Sequence, residues 1–281
     1  MVTWTLDELI VAESRKQPFP AAVAMADHLR THYGAGVRAI VFYGSCLRLG
    51  TDKDLMLDFY VLVDRLSESI SHPLSALIGA ILPPNVYYHE HNFDGRAVRA
   101  KVAVMTLEAF VRGTARRTLA PALWARFAQP AAILYAANDD AQNITTKALT
   151  DAVTSLVSNT LPLLNGPFSI RELWVTALRA AYDTELRPEA STKADKLFDA
   201  NPERFNAVGI AALIELGVDP LSPRLANSSA KWLWRLRSIW GRSLNLLRLI
   251  KAVFTFRGGL KYAIWKLERH SSEKTQLIEK D

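Results

Sequence analysis

At 281 residues, about half of them apolar and 22% charged, the chain is long enough for one large domain or two smaller ones and too apolar for a disordered protein. Its formal net charge of +6 is local: residues 231–269 hold ten Lys/Arg against one acid, Glu268, which leaves 24 basic and 27 acidic residues, a net of −3, everywhere else. A basic patch confined to one segment implies a polyanionic partner, while the lone cysteine, Cys46, excludes an internal disulfide and any multi-cysteine zinc site.

Residues 2–15 and 19–33 read as two short helices parted by Gln17-Pro18-Phe19-Pro20. The first carries three acids and no basic region ahead of a long apolar stretch. It is therefore neither a secretory signal nor an ordinary transit peptide, which favours the cytoplasmic face of a bacterial membrane over a mitochondrion. Val37–Tyr43 is β-branched and aromatic and ends at Gly44-Ser45, a strand followed by a tight turn. Met56–Val63 is a second strand, apolar on both faces and so central in its sheet. Leu66–Leu82 has helical spacing, interrupted by Pro73. Asn85–Glu90 and Arg96–Met105 read as strands joined at Asp94-Gly95, the dipeptide that most favours a hairpin. Leu107–Arg117 and Ala120–Ala128 are helical, and Gln129-Pro130 closes that unit before Ala131–Tyr135.

Asn138–Ala148 is polar and serves as a candidate linker. Beyond it, residues 146–163, 170–182, 191–199 and 204–216 are helix-like, with no convincing strand, and Gly217–Ser229 is rich in turn formers. The expected organisation is a mixed α and β domain over 1–138, a helical domain over 139–229 and a basic tail over 230–281. No run of 18 apolar residues is free of charge, so nothing here spans a bilayer.

On a helical wheel the tail places Trp232, Leu236, Ile239, Ser243, Leu246, Leu247, Ile250 and Phe254 on one face. Lys231, Arg235 and Arg242 border it on one side, and Arg237, Arg248 and Lys251 on the other. Long basic side chains beside an apolar stripe can rest their stems on it while their heads reach lipid phosphates. Four of the seven tryptophans lie in this segment, and Trp prefers the headgroup zone. Trp232, Arg235, Trp240, Arg242, Arg248 and Lys251 are the expected contacts with an anionic membrane, roughly 1 kcal/mol for each basic group near the surface. The aromatics are phased with the aliphatics rather than set out as stacking platforms, which disfavours nucleic acid. Gly258-Gly259 separates a second short helix over 260–269, and the end of the chain from His270 reads as disordered. The plain alternative is a helix packed on its own protein with a solvated basic face.

The richest local pattern is Phe42-Tyr43-Gly44-Ser45, followed thirteen residues after Ser45 by Asp58 inside an apolar strand. A Gly-Ser turn at a strand end lets backbone N–H groups and a hydroxyl approach phosphate oxygens. A carboxylate in an apolar strand is costly unless it binds a cation or pairs with a base, here Lys101 or Arg99. Together they suit a nucleoside triphosphate with Mg²⁺. His89-Glu90-His91 is set aside as a solvent-facing approach to the hairpin turn, because neighbouring strand residues alternate faces and no further ligand is evident.

The segments FYGS to Ser45, LMLDFYVLVD to Asp64, VYYHEHNFDGRAVRAK to Lys101 and ARFAQPAAIL to Leu134 occur in the order and approximate spacing of a known family. They resemble the mitochondrial-type CTP:phosphatidate cytidylyltransferases, also described as translocator assembly and maintenance proteins. The likeness continues more weakly through FSIRELWVTALRAAYDTELR and LLRLIKAVFTF. It implies an α+β fold: a DNA polymerase beta-like nucleotidyltransferase domain, a helical or winged-helix-like second domain and a membrane-contacting C-terminal segment. The implied activity makes CDP-diacylglycerol and pyrophosphate from CTP and phosphatidate, with Mg²⁺. By the same resemblance Gly44 and Ser45 match the phosphate turn, Asp58 the metal-binding Asp, and Lys101 and Arg126 the basic residues facing the anions.

Cys46, Val102 and Gln129 stand where the family has Gly, Tyr and Lys. Met56 leaves the second metal ligand open, with Asp52, Asp54 and Asp64 as candidates, each more simply a loop residue. Two other readings stand beside this one: a nucleotidyltransferase with a soluble acceptor, and a peripheral membrane protein without catalysis.

Overall fold

The computed structural model describes residues 4–53, 55–70, 73–185, 190–222 and 225–255. Two helices open the chain, α1 (Leu6–Ser14) and α2 (Pro20–Tyr33), followed by β1 (Val37–Tyr43), a short α3 (Ser45–Leu49) and β2 (Leu57–Val63). Then come α4 (Leu66–Ser69), α5 (Pro73–Ile81), β3 (Asn85–Phe93) and β4 (Arg96–Thr106). They lead into α6 (Leu107–Thr114), α7 (Ala122–Phe127) and β5 (Ala131–Ala136). The remainder is helical: α8 (Asp139–Thr160), α9 (Ile170–Tyr182), α10 (Ala190–Asp199), α11 (Pro202–Glu215) and α12 (Ser228–Thr255).

Local chemistry accounts for these boundaries. Thr5 and Glu8 form a reciprocal capping box on α1; Thr106, Asn138, Ser169 and Asn201 cap α6, α8, α9 and α11 through their side-chain oxygens. The β3–β4 hairpin turns at Asp94 and Gly95, both at positive φ as a two-residue turn of this kind requires. Asn138–Ala148, expected as a linker, is instead the beginning of the 22-residue α8. Asn138 accepts the Ala141 N–H, and Asp139 and Asp140 occupy the first turn, where carboxylates favour the helix N-terminus.

The strands form one mixed sheet in the order β3-β4-β2-β1-β5, with β2 parallel to β4 and the other neighbours antiparallel. β2 lies at the centre, as its two apolar faces require. Its Leu57, Phe59, Val61 and Val63 pack toward α2, while Tyr60 and Leu62 pack toward the helical side. That second cluster runs without interruption from Leu6 and Val41 through Trp124, Leu156 and Trp174 to Phe205 and Trp234. Sheet and C-terminal helices therefore share one core across residue 138. Glu13 and Arg204 tie α1 to α11 at 2.8 Å.

α12 docks across this core with the side opposite its apolar stripe inward. Trp234 is buried and donates its indole N–H to Asn159 O at 2.9 Å; Arg237 is buried between the Trp124 and Trp234 rings and reaches Asn159 Oδ1 at 2.7 Å. Gly241 meets residue 184 so closely that a Cβ would lie 2.7 Å from Thr184 O. Arg248 and Lys251, expected at the lipid surface, are turned into the protein. Arg248 donates Nε to Pro83 O, and the Lys251 ammonium donates to Leu82 O, Pro84 O and Asn85 Oδ1 at 2.6–2.9 Å. Burial, then Arg248, lowers that ammonium to about 8. The stripe of Trp232, Ile239, Leu246, Leu247 and Ile250 faces outward, flanked by exposed Lys231, Arg235 and Arg242, with Trp240 at its edge. The Phe254 side chain, the helix expected over 260–269 and the end from His270 lie outside the described residues.

Candidate active site

The sheet register sets the site. Tyr43 of β1 pairs with Asp58 of β2, which pairs with Lys101 of β4, so the three lie side by side across the sheet. Asp58 shares the parity of Tyr60 and Leu62 and so belongs to the face that the helices cover. It stands at the strand's start, where that cover opens and the carboxylate is only half-buried. Gly44 follows at φ +93, a backbone conformation that L side chains rarely adopt; a Cβ there would lie 2.6 Å from Asp58 Oδ2. Glycine is thus required twice over, by its dihedral and by the carboxylate beside it.

A polar cleft of about 160 Å³ opens over this turn, and Gly44, Ser45, Asp58, Lys101 and Arg126 all line it. The residues expected to act together are brought together. The cleft also receives Arg48 from α3, Gln129 from the end of α7, Tyr182 and Glu185 from the end of α9, and Lys193 from α10. Four cationic side chains therefore face two carboxylates. Gln129 organises one wall. Its amide donates to Ala125 O and to the Tyr182 hydroxyl at 2.9 Å, and its oxygen accepts from Arg48 at 3.2 Å. Burial pushes the Arg48 guanidinium down, against the pull of Tyr182 and Asp58.

Arg126 also lines the cleft. It donates to the Tyr60 hydroxyl at 2.7 Å, lies 3.6 Å from Glu185, and stands near the Tyr43 and Tyr60 rings. Burial opposes its charge, but Tyr60, Tyr43 and Glu185 together hold it above the ordinary guanidinium range. It is a fixed cation.

Neither resolved candidate for a second acidic ligand is free for that role. Asp52 is held by Arg96 at 2.6 Å, and Asp64 lies at the far end of β2 beside Arg38 at 3.5 Å. Asp54 lies outside the described residues. No group of three or more His, Cys, Asp or Glu side chains positioned for a metal occurs among the described residues. The donor set over Gly44 still suits a hard cation that takes one carboxylate from protein and the remaining oxygens from phosphates and water, as Mg²⁺ does. Cys46 is turned away from the cleft into the α2 side of the core, where its thiol donates to Met56 O. Burial, with Asp58, pushes that thiol up to about 11. A side chain at this position therefore leaves the mouth of the turn clear.

The chain matches no family model and no curated protein. What the cleft can do rests on its own chemistry: a cationic pocket on a glycine turn, with the Asp58 carboxylate beside that turn, has the groups to receive an oxyanion together with a cation.

His89 and His91 correct the sequence reading. Two residues apart on β3, they share a face, and that face meets α2. His91 stacks on His28 at 4.8 Å, His89 lies 4.8 Å from His32, and His89 Nε2 is 2.9 Å from the Tyr33 hydroxyl. Four imidazoles from two elements thus form one cluster that linear spacing conceals.

Proposed function

We propose that the chain is a Mg²⁺-dependent phosphatidate cytidylyltransferase of the DNA polymerase beta-like nucleotidyltransferase type, acting at a membrane surface. The observation that carries the reading is the joining of Gly44, Ser45, Asp58, Lys101 and Arg126 in one cationic cleft. The choice of CTP and phosphatidate rests on the resemblance of residues 42–134.

The acceptor is a phosphate monoester, already ionised near neutral pH, so no strong general base is needed. Its oxygen attacks the α-phosphorus of CTP, the bond to the β-phosphate breaks, and pyrophosphate leaves with the electron pair. The protein's task is to hold two anions together and to neutralise their charge. Gly44 and Ser45 cradle the triphosphate. Lys101, Arg48 and Lys193 approach the cleft from three different elements and draw the phosphates in. Arg126, fixed by Tyr60 and Glu185, screens the repulsion between acceptor and nucleotide. Asp58 is the residue that would hold Mg²⁺, which when bound supplies charge neutralisation on the triphosphate. The outward apolar stripe of α12 and its basic flanks hold the cleft at the interface, from which a phosphatidate headgroup does not diffuse away. No described helix is long and apolar enough to cross a membrane, which accords with attachment from one side.

The test is purified protein with labelled CTP, Mg²⁺ and phosphatidate, with glycerol 3-phosphate as a soluble acceptor. A CDP-lipid product from the wild type, and none from Asp58→Asn despite an unchanged unfolding transition and unchanged liposome binding, is expected. Full activity in Asp58→Asn refutes the metal role, and turnover with the soluble acceptor alone refutes the lipid assignment.

A further inference from the structure

A second hollow, of about 280 Å³, lies against the polar cleft and shares Ala122 and Arg126 with it. Its character is opposite. Leu82, Met105, Ala109, Leu123 and Leu244 give it apolar walls, and its polar features are mostly cationic, Arg112, Arg126 and Arg248. No acid is among the described residues that line it. Arg112 is engaged by Glu108 one helical turn away. Arg248 and Arg126 both line it; burial above all, with Arg126 adding to it, disfavours the Arg248 charge, and an anion seated beside the two would relieve this.

The mouth of the hollow has a defined neighbour. Trp240 and Leu244 of α12 form one wall, and Trp240 is half exposed beside Ile239 and Leu247 of the outward stripe. Ile81, on the opposite lip, is 76% exposed. An apolar path therefore leads from the outer face of α12 through the hollow to Arg126, and polar ground begins immediately beyond. An amphiphile with an anionic head and an alkyl tail matches that order of surfaces. A free phosphate would leave the apolar walls unused, and a neutral lipid would bring no negative charge to the two guanidiniums.

We propose that this groove seats an acyl chain of the lipid phosphate, with Arg248 and Arg126 holding its phosphate at the border of the polar cleft. The proposal rests on the reading of that cleft as a site of transfer to a phosphate monoester, and it adds where the lipid lies and which residues select it. It also assigns Arg248 a role: anchored by Pro83 O, it presents its charge to the headgroup.

The experiment titrates the full chain, without CTP, with dibutanoyl, dihexanoyl and dioctanoyl phosphatidate below their aggregation concentrations, and with glycerol 3-phosphate and inorganic phosphate. Monomeric ligands keep surface partitioning by α12 out of the readout. Affinity is expected to rise with chain length, by up to about fourfold for each methylene seated. Ala109→Trp, and independently Ala120→Phe at the rim, should flatten that rise while leaving glycerol 3-phosphate affinity within twofold. Arg248→Gln should weaken every phosphate ligand at least fivefold and leave the rise intact. Equal affinity for glycerol 3-phosphate and dioctanoyl phosphatidate overturns the proposal, as does an unchanged rise in both filled variants. A chain-length rise that the filled variants abolish, without any CDP-lipid product in the transfer assay, removes the transferase and keeps the groove. CDP-lipid formation with no chain-length rise removes the groove and keeps the transferase.

Discussion

Replacing Ile239, Leu246, Leu247 and Ile250 together by Gln should detach the protein from membranes without loosening its fold. These side chains are 67%, 54%, 51% and 50% exposed, so roughly half of each remains to be removed from water. Full burial of a Leu or Ile contributes about 1.5–3 kcal/mol, which leaves about 1 kcal/mol for each and about 4 kcal/mol for the set. That corresponds to a loss on the order of 10³ in partition coefficient. Co-sedimentation with phosphatidate-containing vesicles measures it, and thermal unfolding of the same variant should move by no more than a few degrees because none of the four belongs to the buried core. The basic flank provides the contrast: Lys231, Arg235 and Arg242 to Gln should cost about 1 kcal/mol each at low ionic strength and progressively less as salt rises. Wild-type sedimentation by the four-Gln variant would refute the reasoning, since the stripe would then have no lipid to meet.

Gly44→Ala places a methyl against Asp58 Oδ2 at an unfavourable dihedral, so we expect about 1–3 kcal/mol of lost stability in urea unfolding and a loss of cytidylyl transfer far exceeding that of Ser45→Ala. Lys251→Met strips the donor from Leu82 O, Pro84 O and Asn85 Oδ1, and should lower stability by about 2 kcal/mol; an unchanged urea midpoint would contradict it. Stability should also fall with acid. Burial, with His32 and His28, lowers His89 to about 4, and burial, with His91 and His32, lowers His28. Both folded values lie below the unfolded one near 6.5, so this contribution is complete above pH ~6.5 and is lost as pH falls toward 4. His89→Gln should flatten that slope, read as unfolding midpoint against pH.

The sheet was legible because its signals are local. β2 is apolar at both parities and is central; Asp94-Gly95 turns a hairpin; Asp58 breaks an apolar pattern and proves to stand where the core opens. The α8 N-terminus was misread because Asn, Asp and Asp in sequence look like a polar linker, although the same residues cap a helix and complement its dipole. The rest of the cleft was illegible for a different reason. Arg48, Gln129, Tyr182, Glu185 and Lys193 come from four separate helices or their ends, and apart from Gln129 nothing in their own neighbourhoods marks them. For Gln129 the signal existed, as a departure from the resembled pattern, but only the contacts with Arg48 and Tyr182 give it a purpose.

α12 shows why a helical wheel alone could not settle the membrane question. The wheel separates an apolar stripe from cations, and the ordinary expectation is that the stripe turns inward. Here the inward side carries Trp234, Arg237, Gly241, Arg248 and Lys251, because the surface it meets offers oxygens: Asn159 O and Oδ1, and the carbonyls of Leu82, Pro83 and Pro84. Cations satisfied in this way can be buried at tolerable cost. The apolar stripe is then left outside, and a row of exposed Ile, Leu and Trp on a helix is what an interface or a lipid surface covers. The docking also reaches the cleft. Ser238 and Arg242 donate to Asp183 O, and Glu185, two residues on, pairs with Arg126. The same helix that carries the exposed apolar stripe thereby braces the segment that pairs with Arg126, so a change in how α12 is seated is transmitted to that side of the cleft.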